Sequence, residues 1–166
     1  SMSINLFINE LNKLYESFGY NDVKINYTKK LYDDTNTVDL FFEINEGKIT
    51  KIKNIIVEGN DSITSEEIKV LLNSKTKSLR NIFANNNYKP VVVERDKIII
   101  ADFYKNNGFI DVDIKTKIEY LKSNQVNIYF YIEEGQAYSF SSINVNDKDN
   151  ILDPNSSEII NIEIKE

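Results

Sequence analysis

The chain has 166 residues, with 20 basic and 26 acidic side chains and a formal net charge of −6. It contains no cysteine, histidine or tryptophan, which excludes zinc fingers, thiol nucleophiles, disulfide frameworks and Ser-His-Asp chemistry. The acidic balance argues against a nucleic-acid surface, which needs a basic footprint; only Arg80 and Arg95 offer the planar fork that grips phosphate. At 41% hydrophobic and 28% charged residues the chain is apolar enough to fold compactly. Its longest apolar runs, Val91–Val93 and Ile98–Ala101, fall far short of the ~20 residues of a membrane span. Ser1-Met2 reads as a cloning remnant, so the chain is expected to be an excised piece with its compartment signals outside it.

In chain order, Ile4, Phe7, Leu11, Leu14 and Phe18 recur at three- and four-residue spacing, the mark of an amphipathic helix, and Gly19 stops it. Val23–Thr28 and Val38–Ile44 read as strands, the second ending at Glu46-Gly47. Asp33-Asp34 between them lacks the spacing of a calcium loop, as does Asp147–Asp153 further on. Lys53–Glu58 is a third strand, closed by a Gly59-Asn60 turn. Thr64 with Glu67 forms a capping box for a helix whose apolar face is Ile68, Leu71 and Leu72. Ser74–Lys89 is a long polar connection holding Leu79, Ile82, Phe83 and Tyr88, with Asn85-Asn86-Asn87 as its most exposed turn. Pro90 sits where a helix start tolerates its missing N–H, and Ile99, Ile100 and Phe103 form that helix's buried stripe.

After Gly108 the period drops to two. Ile110, Val112, Ile114, Thr116 and Ile118 alternate with Asp111, Asp113, Lys115 and Lys117. A turn at Lys122-Ser123-Asn124 leads to a last strand, with Val126, Ile128, Phe130 and Ile132 facing one way and Asn127, Tyr129 and Tyr131 the other.

These elements repeat. Residues 14–25 line up with 103–114, and residues 38–47 with 126–135, at a shift of about 89 positions with one deletion in the hairpin loop. Ile55 and Val57 match Ile143 and Val145, and four of the five glycines pair as Gly19 with Gly108 and Gly47 with Gly135. The unit is strand, helix, helix, strand, strand. One complete unit spans 48–135, residues 1–47 hold the later half of a preceding unit, and 136–166 open a following one, with Ser156 and Ser157 as candidate helix caps.

Ile55-Ile56-Val57-Glu58-Gly59-Asn60, Tyr104 with Gly108-Phe109, and Val126–Gly135 with its Glu134-Gly135 ending together resemble the POTRA family. These β-α-α-β-β modules occur in tandem in the periplasmic arms of outer-membrane assembly proteins. The stretch from Ser78 to Gly108 is similar to the third module of such an arm, with the second module ending before it and the fourth opening after it. The resemblance implies an α+β fold with a three-stranded mixed sheet packed against two helices. It implies no enzymatic activity, no catalytic residue, no metal and no cofactor. It implies a periplasmic location in a parent anchored by a C-terminal β-barrel, and unfolded outer-membrane proteins and accessory assembly lipoproteins as partners. A related transporter, such as an autotransporter assembly factor or a two-partner secretion pore, is the alternative.

In this family the last strand lies centrally and the strand before it lies at the sheet edge. That makes Ile110, Asp111, Val112, Asp113, Ile114, Lys115 and Thr116 the candidate peptide-binding edge. An open edge accepts an extended peptide by β-augmentation, and also invites self-pairing between chains. Phe41, Tyr129 and Tyr131 are candidate exposed aromatics for added contact. The bland readings stand beside these: Asp111, Asp113, Lys115 and Lys117 as edge-guarding charges, and Tyr129 and Tyr131 as partners of each other. Glu133-Glu134 are neighbours on a strand, so their carboxyls point apart and share no site.

Overall fold

A computed structural model describes residues 3–77 and 85–142. Leu79, Arg80, Ile82, Phe83, Ile143, Val145, Asp147–Asp153, Ser156 and Ser157 lie outside the described residues. The elements are α1 (Ile4–Phe18), β1 (Lys24–Tyr32), β2 (Thr37–Asn45), β3 (Lys51–Glu58), α2 (Ser65–Leu71), α3 (Pro90–Asn106), β4 (Asp113–Leu121) and β5 (Gln125–Glu133). They build an α+β fold with two sheets. β1 and β2 form an antiparallel hairpin, and the second sheet has the order β3-β5-β4. β5 is central, parallel to β3 and antiparallel to β4.

The core lies between that mixed sheet and the helices. β5 alternates without a break: Val126, Ile128, Phe130 and Ile132 are all buried, while Asn127, Tyr129 and Tyr131 are half-buried on the opposite face. Onto the buried row pack Ile52 and Val57 of β3, Ile68 and Leu72 around α2, Val93, Ile100 and Tyr104 of α3, and Ile114 of β4. The stripe of α3 is therefore set one position away from the expected one. Ile100 is buried as expected, but Ile99 and Phe103 are half-buried flanks. The fourth residue of the stripe is Asp96, wholly buried. Its carboxylate accepts hydrogen bonds from the backbone N–H of Asn73 at 2.6 Å and of Ser74 at 2.8 Å. A charge is tolerated there because it terminates the two N–H groups that leave α2.

The capping box forms as expected, Thr64 with Glu67. The asparagine run differs from expectation. Asn86 is buried, not the tip of an exposed turn. Its backbone carbonyl accepts from Ile52 N at 2.7 Å and its amide donates to Ile52 O at 3.0 Å. The segment thus acts as a short strand substitute along the start of β3, with a bridge between Lys51 and Asn87.

The two halves of the chain meet through a joint that the repeat carries twice. Gly19 O accepts from Thr50 N at 2.9 Å, and Gly108 O accepts from Tyr138 N at 2.8 Å. Each pair couples the end of a helix to the chain leaving the following hairpin. At the first joint Asn87 donates to Phe18 O at 3.1 Å and Asn21 donates to Tyr88 O at 3.0 Å. A second repeated feature is a tyrosine set against a glutamate. Tyr104 donates to Glu134 at 3.0 Å, and burial followed by Glu134 pushes its phenol pKa up. Tyr15 faces Glu46 in the same way, its pKa raised by burial and then by Glu46.

Glu134 also accepts from Ser62 N at 2.9 Å and Ser62 Oγ at 2.6 Å, tying the end of β5 to the turn after β3. Gly59 opens that turn at φ +81°, and a Cβ there would sit 2.1 Å from the carbonyl oxygen of Ile132. Gly59→Ala is therefore expected to cost at least ~1–3 kcal/mol, since backbone must move to admit it; an unchanged urea midpoint would contradict this. Burial pushes the Glu134 pKa up, but the Ser62 and Tyr104 hydrogen bonds outweigh it and the net shift is downward. A depressed carboxylate stabilises the fold fully above its unfolded pKa of about 4.3, and that contribution fades as pH falls through the folded value. Glu134→Gln should lower stability at neutral pH by about 1–2 kcal/mol. It should also flatten the loss of stability below about pH 4, leaving the part carried by other carboxylates. Thermal melts from pH 7 to pH 3 of both proteins check this; parallel curves would refute it.

Candidate functional site: an open sheet edge

β4 has a strand on one side only. It pairs with β5 from Asp113 opposite Glu133 to Leu121 opposite Gln125, and among the described residues no strand pairs with its other side. Alternate backbone N–H and C=O groups of β4 therefore point away from the sheet.

Four of the seven expected edge residues, Asp113, Ile114, Lys115 and Thr116, lie on this strand. Ile110, Asp111 and Val112 do not: they form the turn that precedes it. The cause is tertiary. Val112 N donates to Phe109 O at 3.4 Å, and the chain leaving β5 covers the turn, with Tyr138 OH donating to Asp111 at 2.7 Å. The alternating pattern of the sequence runs through the turn, but the backbone pairs only from Asp113.

The two faces of β4 differ. On the helix side Ile114 is buried, Thr116 and Ile118 are half-buried, and Tyr120 is 67% exposed. Cover by the rest of the module thus fades along the strand and leaves an apolar shelf beside the edge. Tyr120 was missing from the expected set, although it continues the parity of Ile114 and Ile118. It meets buried Tyr88 edge-on at 6.3 Å. On the opposite face Lys115 pairs with Glu133 at 2.7 Å and Asp113 at 3.4 Å. Asn54 donates to Asn127 at 2.9 Å, and Asn127 donates to Glu119 at 2.7 Å, a polar ladder across all three strands. The hydrogen bonds from Asn127 and then Tyr129 hold the Glu119 pKa below the usual carboxylate range. Charged side chains on an edge strand disfavour indiscriminate pairing.

Tyr129 and Tyr131 stand side by side on this face, rings near-parallel with centroids 6.0 Å apart, and Lys117 lies over Tyr129 at 5.9 Å. Phe41 is exposed but sits on β2 of the other sheet, so it does not join them. Glu133 and Glu134 diverge as expected, one to Lys115 and the other to Ser62 and Tyr104. Among the described residues no cluster of three or more acidic side chains could hold a metal ion, and no helix is long and apolar enough to cross a membrane.

The faces carry a direct test. Phe130→Ala should cost about 3–5 kcal/mol, whereas Tyr129→Ala and Tyr131→Ala should each cost less than about 1 kcal/mol because these rings are half in solvent. Equal losses in denaturant titrations would mean the two faces are wrongly assigned.

Known proteins give the fold its context. A family profile described as "POTRA: Surface antigen variable number repeat" matches residues 50–135. An "Outer membrane protein assembly factor BamA" of Neorickettsia risticii is 32% identical over 113 residues, covering 68% of this chain and 15% of the relative. A protein of the same description from Buchnera aphidicola is 29% identical over 151 residues, 86% of this chain and 24% of the relative. The chain thus spans less than a quarter of the length of these relatives. Among solved structures, BamA from Haemophilus ducreyi lacking POTRA domains 1–3 matches 80% of this chain and 23% of its own at TM-score 0.56 and 18% identity. Haemophilus influenzae BamA POTRA3-5 matches 88% of this chain and 57% of its own at TM-score 0.52 and 16% identity. With its three-stranded mixed sheet, its helices and the profile match over residues 50–135, this chain belongs to the POTRA family and is a POTRA segment of the BamA type.

Proposed function

We propose that this chain is a non-enzymatic docking segment of an outer-membrane protein assembly factor, and that it receives extended strands along the outer edge of β4. On this reading residues 48–135 are a whole module, residues 1–47 the later half of one before it, and 136–166 the opening of one after it. The segment works in the periplasm, in a parent anchored by a C-terminal β-barrel. Its partners are segments of unfolded outer-membrane proteins or an accessory assembly lipoprotein.

One observation carries the reading: among the described residues β5 has neighbours on both sides and β4 has one. A strand added to β4 would make main-chain bonds that are nearly blind to side-chain identity, which suits a machine handling many clients. The energetics favour a brief contact. Four or five net backbone hydrogen bonds at roughly 0.5–1.5 kcal/mol each give about 2–7 kcal/mol. Association costs roughly 4–15 kcal/mol. The difference must come from apolar contact, and Ile118 with Tyr120 is the shelf beside the edge that supplies it.

In labelled protein, millimolar strand-forming peptides should shift the backbone amides of Asp113–Leu121 first and those of β3 little. Of the neighbours Thr116 and Lys117, one N–H points at β5 and the other outward. Proline at the outward position should leave the fold intact and abolish the shifts. Shifts confined to other elements, or binding undiminished in the folded proline variant, would defeat the proposal.

A further inference from the structure

The margin of the mixed sheet opposite β4 belongs to β3, and beside it the charge pattern reverses. Two open hollows of about 400 and 320 Å³ adjoin at Ser74 and Lys75, residues that line both. Each lies in the ~300–1,000 Å³ range of small-ligand sites. Lys53, Lys69, Lys75 and Lys77 line the first, and Lys75 with Lys89 and Arg95 lines the second. Among the described residues no aspartate or glutamate lines either hollow, and none of these six cations forms an ion pair. Lys75 Nζ reaches the Val70 carbonyl at 3.5 Å. Asp96 is the carboxylate bonded to this stretch, through Asn73 and Ser74, and one negative charge against six leaves the trough positive. In a chain of net charge −6 this grouping runs against the overall balance.

The fold also places donors here that it does not itself use. Ser74, the wall shared by both hollows, is 4% exposed, and its Oγ has no hydrogen-bond partner among the described residues. A buried hydroxyl without a partner carries a desolvation cost, which an acceptor oxygen brought from outside removes. Lys53 is the extra residue of a β-bulge: β3 shifts register against β5 between Ile52 and Asn54, and Lys53 and Asn54 are both exposed. A bulge re-aims side chains out of the strand's alternation, and both of these residues line the first hollow.

We propose that this trough binds a phosphorylated ligand that presents more than one phosphate group. The lysines act on phosphate as point charges and Arg95 adds a planar fork, while Ser74 and Thr76 supply neutral hydroxyl donors in the first hollow. An acidic peptide suits the site less. It spreads single charges along an extended chain and brings side chains that need apolar contact, whereas Ile55 and Val92 are the only apolar residues among the described ones lining the two hollows. The headgroups of an anionic membrane surface and a soluble polyphosphorylated compound share the required chemistry. The trough lies at the margin of the sheet away from β4, so its occupancy is independent of a strand docked there.

The test uses the whole chain. Pyrophosphate titrated into labelled protein at low ionic strength should shift the amides of Lys53–Ile55, Asn73–Lys77 and Arg95 and leave those of β4 in place, and added salt should weaken the binding. The triple variant Lys53→Gln, Lys69→Gln, Lys77→Gln should bind more weakly by about tenfold or more. Its melting temperature should be unchanged, because all three side chains are exposed. Lys117→Gln, on β4, should bind as the unaltered protein does. Ser74→Ala loses no native side-chain hydrogen bond, so it should melt no lower than the unaltered protein and yet bind pyrophosphate about tenfold more weakly. Co-sedimentation separates the two sources. Binding to phosphatidylcholine vesicles containing about one-third phosphatidylglycerol, lost in the triple variant and competed by pyrophosphate, supports the proposal with a membrane headgroup as ligand. Pyrophosphate binding without vesicle binding supports it with a soluble one. No amide shift with millimolar pyrophosphate together with no vesicle binding overturns the proposal. Binding undiminished in the triple variant or in Ser74→Ala, or an oligoglutamate peptide that binds the same residues more tightly than pyrophosphate, overturns it equally.

Discussion

The structure depends on the two-sided pairing of β5. Because Gln125–Glu133 takes β3 on one side and β4 on the other, its inward row can be buried without remainder, and Val126, Ile128, Phe130 and Ile132 become the floor on which α2 and α3 rest. The same pairing leaves β4 outermost. A three-stranded sheet satisfied at its centre leaves its two margins to other partners: Asn86 takes up part of the β3 margin, and among the described residues no strand takes up that of β4. The module manages this exposure with charge on one face of β4 and leaves apolar surface on the other, at Ile118 and Tyr120.

The repeat adds a second level of order. Gly19 and Gly108 each offer a helix-terminal carbonyl to the backbone of the chain that leaves the following hairpin. A helix end cannot satisfy its last carbonyls internally, so the joint uses a group that needs a partner in any case. Both joints have the same bond at nearly the same length, which couples each unit to the chain that follows it by a backbone contact independent of side-chain identity. Both glycines hold a left-handed backbone, Gly19 at φ +101° and Gly108 at φ +91°, which favours glycine at that point of both copies; at Gly108 a Cβ would in addition lie 2.6 Å from Tyr138 O.

Much of this was legible in the residues. Period-two alternation identified β5 and assigned both its faces correctly, because a central strand buried on one side obeys the pattern along its full length. The Thr64–Glu67 box marked the start of α2, and the paired glycines marked the ends of helices and strands. The sequence was silent where a long-range partner decides the outcome. Asn86 looks like a surface turn until Ile52 supplies both bonds that bury it. Asp96 looks like a solvent-facing charge until the N–H groups of Asn73 and Ser74 converge on it. Ile110–Val112 alternate like a strand, yet Tyr138, distant in sequence, holds Asp111 in a turn. Tyr120 could have been found by extending the parity of Ile114 and Ile118, and it lies where the edge has its apolar shelf.

The central claim is that β4 is bonded on one side only. Amide hydrogen exchange under native conditions tests it without a ligand. Along Asp113–Leu121 every second amide should exchange slowly, held by β5, and the amides between them should exchange fast, close to the rate of unpaired backbone. Uniform slow exchange along the whole strand would contradict the account, since it would mean that the outer margin already has a partner.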